Sequence, residues 1–137
     1  RSSGRKAAST IAKPRTHAMK ASEQKSFAPT QSEGRIAELN DDLRKTCRGG
    51  HLVVTPSVMA LPSFDVVELM TALSEFDSFD EANDPHGEHD FGDVDMWGAE
   101  LLWKIDYYGH GTANASPDPA DESVTIRVLT VMLAEEY

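Results

Sequence analysis

Apolar side chains recur along this chain first at helical spacing and later at every second position, and the change of period outlines its elements. In RIAELNDDLRKTCRGG, from Arg35, the residues Ile36, Leu39 and Leu43 share one helical face and Gly49-Gly50 supply a stop. A short amphipathic helix is predicted there. HLVVT at 51–55 is β-branched and lies between Gly-Gly and Pro56, the signature of a buried strand. A second helix is predicted from near Ser63 as N-cap, with Asp65 in a first turn that favours an anion. Its apolar residues Val66, Val67, Leu69, Met70, Leu73 and Phe76 form one broad stripe, read as core.

After the polar stretch SFDEANDP, the segment HGEHDFGDVDMWGAELLWKIDYY has the period of a hairpin. Leu101, Trp103, Ile105 and Tyr107 alternate with Leu102, Lys104, Asp106 and Tyr108, and Gly98 suits a tight turn. Gly92 interrupts the first arm and suggests a bulge. Residues 109–117 read as a loop. Asp118-Pro119-Ala120-Asp121 then resembles a helix start, and Val124, Val128, Leu129, Val131, Met132 and Leu133 would form the buried side of a last helix. The predicted order is helix, strand, helix, hairpin, helix. This is an α+β domain with a small antiparallel or mixed sheet and its helices on one face.

Charge divides the chain in two. Residues 1–34 hold seven Lys or Arg against Glu23 and Glu33, a net +5, with few apolar side chains to offset chain entropy. They are expected to be a disordered basic tail ahead of a single acidic domain at 35–137. The tail is rich in Arg and Ser and poor in acids, as transit peptides are; alternatively Met19 is the true start. With −10 on the whole chain, Arg35–Tyr137 carries −15. Such a field repels nucleic acid and favours cations or basic protein surfaces. Cys47 is the only cysteine, so no internal disulfide forms and a reducing cytoplasm is expected. No apolar run approaches the ~20 residues of a membrane span, so no membrane partner is expected.

Chemistry concentrates in NDPHGEHDFG at 83–92. In an extended strand His86, Glu88 and Asp90 would share a face, opposite His89, Gly87 and Phe91. His86, Glu88 and Asp90 could thus ligate zinc, manganese or iron, with His89 beside Glu88 and Asp90 as a further candidate ligand, while His17, His51 and His110 stand alone. Glu88 beside His89 also suits acid–base work, although no nucleophile elbow, P-loop or dinucleotide fingerprint accompanies it. GHGTANAS at 109–116 lacks phosphate-loop spacing. The competing reading is structural. Asn83-Asp84-Pro85 is a turn whose Asx side chains bond backbone amides, His89 would pair with Asp106, and Lys104 would offset Glu88, Asp90 or Asp93. Among the aromatic residues, Trp97, Trp103, Tyr107 and Tyr108 sit with Asp93, Asp95, Glu100 and Asp106, a charge environment that opposes nucleic-acid stacking. Trp103, Ile105 and Tyr107 are expected in the core, with Tyr108 on the other face.

The stretches NDPHGEHDFG, WKIDYY, SPDPAD and VLTVMLAEEY together resemble the domain of unknown function 3768 family, small proteins frequent in alphaproteobacteria and often carried on mobile elements. The resemblance runs over residues 35–137. Its pattern takes in Asp84, Pro85, Gly87 to Gly92, Trp103 to Tyr108 and Ser116 to Asp121. This chain departs from it at His86, where a tyrosine is expected, which weakens His86 as a ligand. The resemblance implies no activity, but it marks Glu88, His89, Asp90, Lys104 and Asp106 as a polar set on two hairpin arms.

Taken together, the sequence leads to a non-enzymatic, cytoplasmic protein with no required cofactor, whose acidic surface binds a protein with a basic face. The mobile-element context of the resembling family makes an anti-defence role one version of this. The rival is a small metal-dependent hydrolase built on Glu88, His89, Asp90 and Asp106, with Lys104 steadying negative charge and a divalent metal bound. A third reading has the basic tail dock on nucleic acid or membrane.

Overall fold

The computed structural model describes residues 31–111 and 114–137. In chain order it contains α1 (Gln31–Thr46), β1 (Gly50–Val54), a single-turn α2 (Pro56–Met59), α3 (Val66–Glu75), β2 (Phe91–Met96), β3 (Ala99–Gly109) and β4 (Thr125–Leu133). Short 3-10 turns at Glu122–Val124 and Ala134–Glu136 flank β4. The sheet order is β1-β4-β3-β2, with β1 parallel to β4 and the other pairs antiparallel. The fold is α+β with a mixed sheet. Most of the basic tail, with Met19 and His17, lies outside the described residues. The first helix begins at Gln31, inside the stretch assigned to the tail.

The period-two reading of the hairpin holds residue by residue. Leu101, Trp103, Ile105 and Tyr107 point to the face covered by the helices, where they meet Ile36 and Leu43 of α1, Val58 of α2, and Leu69 and Leu73 of α3. Each such side chain, taken from water to full burial, contributes about 1.5–3 kcal/mol. Among the described residues, the opposite face holds a small cluster of Phe91, Leu102 and Met132, with the Tyr137 ring 5.5 Å from Phe91. Trp97 and Gly98, at φ +55° and +78°, form the two-residue turn that joins β2 to β3.

Several expectations are corrected. The last predicted helix is the strand β4, which lies between β1 and β3. Asp121 does cap a helical turn, its carboxylate accepting from the Ser123 N–H at 2.9 Å, but the turn stops at Val124. The following TIRVLTVML is dense in β-branched residues, and Arg127, Leu129 and Val131 alternate inward at strand period. The predicted buried strand β1 is an edge strand, so Val53, on the uncovered face, is 45% exposed. Helix α3 is capped by Asp65 itself, accepting from the N–H groups of Val67 and Glu68, and not by Ser63. Only Leu69 and Leu73 of its apolar stripe are buried, while Val66, Val67 and Met70 face outward. Gly92 makes no bulge and pairs regularly with Trp103. Its missing side chain admits the Phe76 ring, since a Cβ there would lie 2.6 Å from Phe76 Cζ.

Candidate functional site

The 78–90 segment folds on itself through its Asx residues. The Asp80 carboxylate accepts from the N–H groups of Ala82 and Asn83, and Asn83 Nδ2 donates to the Ser78 carbonyl at 3.0 Å. Asp84 Oδ1 accepts from the N–H groups of Glu88 and His89 at 2.8 and 3.1 Å. That bend needs left-handed backbone at Gly87 (φ +68°) and at His89 (φ +57°), a conformation unusual for a histidine. The turn reading of Asn83-Asp84-Pro85 is thereby realised in the structure.

The bend drives Glu88 into the protein, where it is 2% exposed, and brings it against α1, β3 and β4. Tyr107 donates its hydroxyl to Glu88 Oε1 at 3.0 Å. Asn40 of α1, fully buried, donates through Nδ2 to that same hydroxyl oxygen at 2.8 Å and to the Glu88 carbonyl at 3.0 Å. Asn40 Oδ1 accepts from Arg127 Nε at 2.8 Å. The Arg127 guanidinium lies 5.2 Å from the centre of the Tyr107 ring and donates to the Pro119 carbonyl. One chain of polar contacts thus joins the loop, the first helix and both central strands. Satisfied polar networks of this kind favour one arrangement of a core, because any misfit leaves a buried group unpaired.

His89 takes a second position at the rim of this cluster. Its ring stacks on Phe79 with centroids 4.1 Å apart and planes 5° from parallel, and Nδ1 lies 3.0 Å from Asp41 Oδ1. Asp41 also pairs with Arg44 at 2.8 Å. Arg44, 4% exposed, donates through Nη1 to the carbonyls of Leu73 and Phe76 at the end of α3. A cation there adds a second donor to the Leu73 carbonyl, which also accepts the Phe76 N–H, and suits the negative end of the helix dipole. The network therefore also locks α1 to α3.

Burial sets the proton affinities. It raises the Asp84 carboxyl above its ordinary value, an effect increased by the Asp90 charge and opposed by the two backbone N–H bonds. It pushes the Tyr107 phenol well above 10, with the charges of Asp90 and Glu88 adding to the effect. Burial also lowers Arg127, against the attraction of Tyr107, Glu122 and Glu88.

The predicted polar set is not brought together. Glu88 and Asp90 are buried and His89 sits at the rim on the helix-covered side, but Lys104 and Asp106 point to the opposite side of the sheet and pair with each other. His89 meets Asp41, where Asp106 was expected, and Lys104 pairs with Asp106. The cause is the strand period, which sends Lys104 and Asp106 away from the face that carries Tyr107. Among the described residues no three His, Cys, Asp or Glu side chains are grouped to hold a metal, so Glu88, His89 and Asp90 do not form a ligand set here. Trp103 and Tyr107 are core residues as expected, and Trp97 donates to Glu68 Oε1 at 2.9 Å. Cys47 is an exposed residue just past α1. Asn40, Asp41, Arg44 and Arg127 were missed as members of the cluster. A signal was available for Asn40, a polar residue in register with Ile36 and Leu43 on the apolar stripe of α1.

Residues 54–136 match the family described as Protein of unknown function (DUF3768), which is more than half of the chain. The chain belongs to that family. The DUF3768 match includes the 83–92 loop, the hairpin and β4 but begins at the last residue of β1, so the α1 residues that complete the cluster precede it. No curated protein and no solved structure matches the chain. Among the described residues no helix is long and apolar enough to cross a membrane.

Proposed function

We propose that this protein acts without catalysis, by binding a protein partner that presents a basic surface. One observation carries the reading. The most conspicuous titratable cluster is committed to holding the loop against α1, β3 and β4, with Glu88 bonded to Tyr107 and His89 to Asp41. Carboxylates elsewhere line open surface along α3 and β2, including Glu68, Glu75 and Asp95. A body carrying −15 attracts basic surfaces over a distance set by ionic strength. The cytoplasm is the setting that this reading assumes. Mimicry of nucleic acid toward a host defence protein is its most concrete form. The binding reading is favoured over the hydrolase alternative because Lys104 and Asp106 pair with each other while Glu88 accepts from Tyr107.

The test is capture of partners from cells on the immobilised full chain, followed by a salt series. A partner retained at low ionic strength and released as salt rises supports the proposal. Failure to retain any protein at low ionic strength, where the attraction is strongest, refutes it.

A further inference from the structure

Strand β2 forms one edge of the sheet, and among the described residues no strand pairs with its outer side. Ile105 donates to the Asp90 carbonyl at 2.9 Å, and the two-residue turn closes Met96 on Ala99. These contacts fix the alternation along the edge. The backbone groups of Gly92, Val94 and Met96 face β3, and those of Phe91, Asp93 and Asp95 face outward.

A groove runs between this edge and α3. One part, about 340 Å³, has Phe76, Val94 and Met96 in its lining and Glu75 and Asp95 beside them. A neighbouring part of about 380 Å³ shares Met96 and reaches Val67, which at 67% is the most exposed large apolar side chain among the described residues. Separately these features are ordinary, since single exposed apolar residues are common and acids on an edge strand guard against self-pairing. In combination they specify a ligand. A chain that added to β2 would place alternate side chains on the two faces of the sheet. One set would meet Val94, Met96 and Val67, and the other would meet the exposed Asp95, with Asp93 buried beside it. A second copy of this acidic chain is repelled there, and a basic strand is attracted.

We infer that the open edge of β2 docks an extended protein segment in which apolar side chains alternate with Lys or Arg. The inference rests on the protein-binding reading above and names the surface and the partner chemistry. The probe is a short synthetic peptide alternating valine with lysine, titrated into the isotopically labelled full chain at low ionic strength, with a valine–glutamate peptide as control. The expected result is amide shifts confined to residues 66–75 and 91–96, with slowed hydrogen exchange at Phe91, Asp93 and Asp95, for the lysine peptide alone. Asp95→Lys should weaken binding about tenfold or more, as reversal of a close interfacial charge does. Asp95→Pro should abolish the exchange protection by removing an outward N–H, and Asp95→Lys keeps the test decisive if the proline variant does not fold.

The inference is overturned if the two peptides bind alike or if the shifts fall outside β2 and α3. It is equally overturned if light scattering shows the edge taken by a second copy, or if deletion of residues 1–30 shifts β2 without peptide, which would assign the edge to the chain's own basic segment. Equal capture of a cellular partner by wild type and Asp95→Lys would sink the edge assignment and leave the protein-binding reading standing. Peptide docking on β2 without any cellular partner would do the reverse.

Discussion

Tyr107→Phe is the sharpest probe of whether the Glu88 cluster holds the fold together. The substitution keeps the ring, its place in the core and its contact with Arg127, and removes one hydroxyl. That hydroxyl donates to Glu88 Oε1 at 3.0 Å and accepts from Asn40 at 2.8 Å. Asn40 Nδ2 keeps its second acceptor, the Glu88 carbonyl, so the larger loss is the bond to a carboxylate. Hydrogen bonds to charged groups contribute about 1.5–3 kcal/mol, and Glu88 is only 2% exposed, so water does not replace the donor cheaply. The expected destabilisation is about 2–3 kcal/mol, a large part of the roughly 5–15 kcal/mol that holds a typical domain together. In a domain of this size that lowers Tm by roughly 10–20 °C. Urea unfolding followed by tryptophan fluorescence measures it, because Trp103 is fully buried and reports the transition directly. The midpoint should fall with the slope unchanged. A loss below about 0.5 kcal/mol, the range of an ordinary surface change, would mean that the Glu88 carboxylate is solvated and open to a ligand, and the structural assignment would fail.

Three further outcomes follow from the same contacts. Arg44→Met should cost about 3–5 kcal/mol, because it leaves two α3 carbonyls and Asp41 without their buried cation; chemical denaturation checks it, and a near-neutral result would contradict the coupling of α1 to α3. Gly92→Ala should cost about 1–3 kcal/mol, since the new Cβ would press on Phe76 and on Trp103 Nε1; calorimetry showing an unchanged Tm would refute the close packing. Asp84 has its pKa raised on folding, so its share of stability is full below the ordinary value of 3.8 and is lost as pH rises through the folded value. Asp84→Asn keeps an oxygen for the Glu88 and His89 N–H groups, so it should match or exceed wild-type stability at neutral pH, with the difference vanishing below 3.8. Urea midpoints across that range test the sign, and a variant weaker than wild type at neutral pH would reverse it.

Local chemistry was enough to determine the first helix, the hairpin with its Trp97-Gly98 turn, the inward set of Leu101, Trp103, Ile105 and Tyr107, and the Asx-bonded loop at 83–92. Each depends on residues close in sequence, whose periodicity or side-chain bonding repeats a local geometry. The family resemblance was legible in the same stretches. Tertiary structure decided the rest. Residues 125–133 carry apolar side chains compatible with helix or strand, and the vacancy between β1 and β3 selects the strand. The apolar stripe over 66–76 was read as buried throughout, but the neighbouring elements bury Leu69 and Leu73, partly cover Phe76, and leave Val66, Val67 and Met70 exposed. Glu88 and Asp106 were grouped because both belong to one hairpin segment, whereas the bend at Gly87 and His89 turns Glu88 inward and the pleat of β3 sends Asp106 to the other side of the sheet. Glu88 meets Asn40 and His89 meets Asp41, each 48 residues apart in the chain. No local pattern encodes such a pairing, because it exists only once the helix has docked on the sheet.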